Sequence, residues 1–168
     1  MTKSNKGFSL IELLIVVAII LIIAAIAIPN LLRARIAANQ ASAVGSVRTT
    51  TTAQITYSIT WGLGYASSIG KLGGAAGCVA SAATACLIDP ILSTGAKSGY
   101  TMVTVGATGA GTTVSPNQTF ETNATPVNTS TGTDSYCSDQ SGVIRYNTAG
   151  TAIGTGVGSC AALVTVLQ

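Results

Sequence analysis

The side chains able to do chemistry in this sequence are few, and what is missing narrows the field first. The 168 residues hold five carboxylates, four cysteines and no histidine. Without an imidazole, the commonest general base and the commonest nitrogen metal ligand are absent, and no Ser-His-Asp or Cys-His site can be built within the chain. Asp89, Glu121, Asp134 and Asp139 are scattered and fit no calcium-loop spacing, so turn and surface roles are expected of them. No paired-carboxylate motif is present either, and neither catalysis nor a cofactor or metal is expected. The glycine-rich stretches GATGAGTT (106–113) and GTGVGSC (154–160) lack the lysine of a phosphate-binding loop and read as loops.

The cysteines Cys78, Cys86, Cys137 and Cys160 contain no closely spaced pair of the kind that holds zinc. An even count behind an export-like N-terminus reads as two disulfides formed in an oxidising compartment. Four cysteines allow three connectivities, which the sequence leaves open. Nearest-neighbour pairing, Cys78–Cys86 with Cys137–Cys160, closes the shortest loops and is the expectation.

The fifth carboxylate, Glu12, stands in KGFSLIELLIV (6–16), and nothing after it is charged until Arg33. Residues 13–28 are unbroken apolar, about 24 Å of helix at 1.5 Å per residue. Extended to Phe8 on one side and Leu32 on the other, the segment is long enough for a hydrocarbon core of roughly 30 Å, provided Glu12 and Pro29 are tolerated within it. Lys3 and Lys6 precede the run and favour a cytoplasmic N-terminus, while Arg33 and Arg35 behind it weaken that bias. Of eight basic residues, six remain after these two lysines, against five acidic ones. Eight aromatic residues form no stripe. Nucleic-acid binding is not expected from this charge or from base stacking.

The remaining elements follow from periodicity. Pro29 should kink the helix, since it offers no N–H and crowds the preceding turn. Beyond it Leu32, Ile36, Ala43, Val47, Ile55 and Ile59 keep helical spacing with polar residues between them, so an amphipathic half follows the apolar half. Helix is expected from Ser9 to about Thr60, roughly 78 Å, with the threonines at 49–52 its weakest stretch. KLGGAAGCVASAATAC (71–86) reads as loop and LIDPILSTG (87–95) as one helical turn. Strands are expected at 99–106, at 119–124, in a hairpin over 135–147 turning near Asp139 to Gly142, and at 162–166. Helix first and strands after suggests an α+β fold, a long kinked N-terminal helix packed on a C-terminal antiparallel sheet.

Lys6, Gly7, Phe8, Glu12, the long apolar stretch and Pro29 together resemble the class III signal of type IV pilins and of the pseudopilins of type II secretion. The resemblance implies a pilin fold and a division into a cleaved leader (1–7), an apolar membrane and filament-core half-helix (8–32), an amphipathic half-helix (33–60) and a disulfide-containing β domain (61–168). It also implies cleavage between Gly7 and Phe8 by a prepilin peptidase, N-methylation of Phe8, and a structural, non-enzymatic role. The expected partners are copies of the same chain in a helical filament, the peptidase, and the assembly machinery of the inner membrane. The chain would sit in that membrane before assembly and on the cell surface afterwards. Phe8, Glu12 and Pro29 are the residues expected to serve assembly. The pair Cys137 and Cys160 resembles the C-terminal disulfide loop of many pilins.

The physics of Glu12 agrees with that resemblance. A carboxylate at the centre of a bilayer costs several kcal/mol, about 2.5–3.5 on insertion scales, and less near the edge. A chain beginning at Phe8 carries a cationic amine four residues away, and Glu12 of one subunit meeting that amine on a neighbour would fix axial register. A pseudopilin is an alternative of the same kind. A secreted soluble protein cut after Ala25-x-Ala27 is an alternative of another kind, and a charge at Glu12 inside the apolar region counts against it.

Overall fold

The computed structural model describes residues 8–156 and 158–167. It shows an α+β chain in which one long N-terminal helix, α1 (Leu10–Trp61), precedes a five-stranded sheet. Two short helices, α2 (Ile69–Leu72) and α3 (Pro90–Ser93), lie between them. The strands are β1 (Ala96–Lys97), β2 (Tyr100–Ala107), β3 (Thr119–Pro126), β4 (Ser135–Asp139) and β5 (Arg145–Asn147). They pair antiparallel in sequence order, a meander in which each strand neighbours the next. The chain divides into two compact units, Met1–Arg35 and Ile36–Gln168.

Within the second unit, α1 buries a stripe made of Ala43, Ser46, Val47, Thr50, Thr51, Ala53, Gln54 and Tyr57. Their spacing of three and four residues is the period of a helix packed on one side. Four consecutive threonines, poor helix formers, fall in this stretch. Thr49, Thr50 and Thr52 each donate their hydroxyl to the carbonyl four residues back, at 3.0, 2.9 and 3.1 Å. Three of the four hydroxyls are thereby satisfied inside the helix, while that of Thr51 is buried without a partner among the described residues, and tertiary packing outweighs propensity. The helix stops at Gly62, whose φ of 64° lies in the left-handed region open to glycine and whose N–H bonds to Ser58 O at 3.2 Å.

Gln54 is the polar rivet of this core. It is fully buried, its Nε2 donating to Ala66 O and Thr104 Oγ1, each at 3.0 Å, and its Oε1 accepting from Ala66 N at 2.7 Å. Helix, loop and sheet are thus tied through one side chain. Gln54→Leu would keep the volume and strand the backbone groups of Ala66 without partners. A loss of roughly 2–3 kcal/mol in unfolding free energy is expected, read from urea titration.

Alternation along β2 buries Tyr100, Met102 and Thr104 and exposes Thr101 and Val103. Register places Met102 beside Ala124 and Tyr136, and Thr104 beside Thr122 and Ser138, on one face. The apolar members of that face join Ala43, Val47, Ala53 and Tyr57 of α1 in the main core. Tyr100 donates its hydroxyl to Asp134 O at 2.9 Å, and burial pushes the Tyr136 phenol up to about 12.

The opposite face of β3 and β4 carries Glu121, Asn123, Cys137 and Asp139, and the C-terminal segment lies over it. Cys137 is bonded to Cys160 with Cα atoms 5.8 Å apart, and the two pack with Ile153 and Leu163. Asn123 Nδ2 donates to Ile153 O and Gly154 O, Arg145 Nη1 to Leu163 O, and Cys160 N to Glu121 Oε1. The expected strand at 162–166 does not form. Residues 159–162 turn, and the segment makes one isolated bridge, Val166 to Arg145. The disulfide, the Arg145 side chain and two backbone bonds, Tyr146 N to Thr165 O and Leu167 N to Ile144 O, hold this stretch where a full ladder was expected, and alternating apolar residues alone do not distinguish the two.

Glu121 is 4% exposed, and burial raises its pKa above the usual carboxylate range, assisted by Asp139 directly across the strand pair. The backbone N–H groups of residues 158–160 act in the other direction. A raised carboxylate opposes folding once ionised, so the penalty is absent at acid pH and grows as pH climbs through the folded value. Glu121→Gln keeps an acceptor for Cys160 N and removes the charge. Between about pH 4 and pH 8 its urea midpoint is therefore expected to fall less than that of the unaltered chain.

A second disulfide, Cys78–Cys86 with Cα atoms 6.2 Å apart, closes a mostly exposed loop beside α2. There Ala85 N bonds to Lys71 O and Leu87 N to Leu72 O, so the stretch anticipated as loop is anchored by backbone pairing as well. α2 itself was not anticipated, and β1 is a two-residue strand too short to show a period.

Candidate functional site

The first unit holds the first part of α1 and the residues singled out for assembly. Phe8 stands just ahead of the helix and is 80% exposed. Gly7 and the leader lie outside the described residues. Ser9 occupies the cap position: its carbonyl accepts the first helical bond, from Leu13 N at 3.3 Å. Glu12 lies three residues on and accepts from Ser9 N through Oε2 at 3.0 Å. This is the carboxylate half of a capping box, in which the third helical residue reaches back to the cap's own N–H. Its charge also lies at the positive end of the helix dipole. The signal, SLIE at 9–12, is present in the sequence, but the surrounding apolar run drew attention to the bilayer instead.

Over residues 13–28 the helix is apolar on every side and none of its residues is buried. The most hydrophobic 18-residue window of α1 is wholly unburied, with Leu13, Ile19 and Ile23 all more than half exposed. Each Leu, Ile, Val or Phe left in water forgoes about 1.5–3 kcal/mol. A stretch with more than a dozen such residues forgoes tens of kcal/mol, beyond the ~5–15 kcal/mol stability of an ordinary domain. Such a surface demands a cover of lipid or of other protein. Pro29 sits inside α1. Lacking an N–H, it leaves the Ala25 carbonyl without its helical donor.

Compared with known proteins, residues 2–28 match the family model described as the prokaryotic N-terminal methylation motif. The chain is 68% identical over 37 residues to the type IV wide pilus major component PilA4 of Thermus thermophilus, a match covering 22% of this chain and 28% of that protein. It is 52% identical over 50 residues to the type IV major pilin protein PilA of Myxococcus xanthus, covering 30% of this chain and 23% of that one. The matched region thus spans about a quarter of the length of these curated relatives. No solved structure matches the chain. The methylation motif, the pilin relatives and the uncovered apolar helix behind a single carboxylate agree: over its N-terminal segment this chain is similar to type IV pilins.

Proposed function

We propose that this chain is a structural subunit of a type IV pilus-like filament. Residues 1–7 act as a leader that a prepilin peptidase removes between Gly7 and Phe8, and the new N-terminal Phe8 is methylated. The helix over 8–32 holds the subunit in the inner membrane and afterwards packs with its neighbours as the filament core. The unit beyond it is displayed on the outside. Glu12 of one subunit takes the Phe8 amine of the next as its ion partner.

The observation that carries this reading is the unburied apolar helix itself, since one surface must be content first in lipid and then against copies of itself. Both curated relatives are named as major pilus components, which favours a pilus over a secretion pseudopilus. Electron microscopy of cells expressing the chain tests the proposal. Surface fibres that label with an antibody to the β domain are expected. Gly7→Val is expected to abolish them, because a branched side chain at the cut site blocks processing, and the uncut chain should accumulate in the membrane. Equal fibre yield from Gly7→Val would contradict the proposal.

A further inference from the structure

The first unit carries three charged residues among those described, Glu12, Arg33 and Arg35, and their placement along the helix is specific. From Glu12 to Arg33 is 21 residues, about 31 Å at the helical rise. That matches a hydrocarbon core of about 30 Å, and a tilt near the ordinary ~20° shortens the projection only slightly. Pro29 and Asn30 fall within about 6 Å of Arg33 along the helix, which puts a side-chain amide near the interface. Both arginines are exposed, and no acidic residue lies within four positions of either along the helix. Among the described residues the one ion pair is Lys97–Asp89, and neither guanidinium pairs with a carboxylate of those residues. Two residues apart on a helix, they project from nearly opposite sides.

Resting on the membrane-anchor reading above, we infer that Arg33 and Arg35 are a phosphate clamp. Before assembly they seat the helix in the outer leaflet by bonding the phosphodiesters of two lipids on opposite sides of the helix. The same spacing places Glu12 at the inner boundary of the hydrocarbon and leaves the interval between them free of charge. A guanidinium suits this task because its fork donates two parallel bonds to phosphate oxygens.

The full chain, labelled with carbon-13 at arginine Cζ, would be reconstituted in vesicles of phosphatidylcholine and phosphatidylglycerol in phosphate-free buffer. Solid-state NMR would then measure dephasing of Cζ by lipid phosphorus-31. The chain has four arginines, Arg33, Arg35, Arg48 and Arg145. Loss of about half the Cζ intensity is expected, the share of Arg33 and Arg35 among the four, with no loss in the Arg33→Lys/Arg35→Lys chain. A chain that floats with the vesicles yet shows no dephasing, or a double variant that dephases like the unaltered chain, would overturn the clamp and leave the anchor standing. A chain that does not float with the vesicles would overturn both.

Discussion

Glu12→Ala is expected to be processed normally and to assemble at least 100-fold less well, read as the protein concentration at which fibres form or as fibre mass recovered by shearing. Two effects compete for the explanation, and their magnitudes differ. Losing the capping contact to Ser9 costs about 1 kcal/mol, equivalent to a five-fold change. Stranding the Phe8 amine of a neighbour in a dry filament core costs about 3–5 kcal/mol, a hundred-fold or more. Glu12→Gln separates them, since glutamine caps as glutamate does but carries no charge. Both variants failing alike supports the intersubunit ion pair. Rescue by glutamine would reduce Glu12 to a helix cap and remove the proposed register contact.

The C-terminal disulfide should carry the largest share of stability in the second unit. Cys137 and Cys160 are fully buried and 23 residues apart in sequence, and they pack with little else than Ile153 and Leu163. Closing a loop of that length in the unfolded chain stabilises by about 3.5 kcal/mol on the chain-entropy estimate. Cys137→Ala/Cys160→Ala is therefore expected to lower Tm by roughly 10 °C. The eight-residue separation of Cys78 and Cys86 predicts about 2.5 kcal/mol, and that loop also keeps its backbone bonds to α2. The pair Cys78→Ala/Cys86→Ala should accordingly be milder in calorimetry. The reverse ranking would mean that the outer face of the sheet is held by the bonds of Glu121, Asn123 and Arg145 rather than by the covalent link.

How much of this was legible beforehand depends on whether a residue's neighbours lie near it in sequence. The helix over 10–61 was readable within a residue or two at each end, because apolar periodicity and the terminating glycine are local signals. So was β2, whose alternation matches its pleat, while β3 and the β4–β5 hairpin were placed although β3 and β4 are buried on both faces. The segment 162–166 does not form the expected strand because what fixes it, the bond from Arg145 to Leu163 O, the backbone bonds with Ile144 and Tyr146 and the link of neighbouring Cys160 to Cys137, comes from residues far back in the chain. Gln54 is the same case in miniature. An uncharged polar residue on a helix gives no hint that three partners 12 and 50 residues away await it. At the candidate site the identities of Phe8 and Glu12 were plain from KGFSLIE, whereas the cap made by Glu12 on Ser9 was overlooked beside the stronger signal of the apolar run.

The central claim is that the apolar helix beginning at Phe8 is retained in the mature protein and forms the core of a fibre. Mass spectrometry of the N-terminus, performed on fibres sheared from cells, tests it most directly. The account predicts a chain that begins at Phe8 and bears a methyl group on its amine. A mature protein beginning at Ile28, recovered in solution and not in fibres, would mean that the apolar segment is a discarded signal and would contradict it.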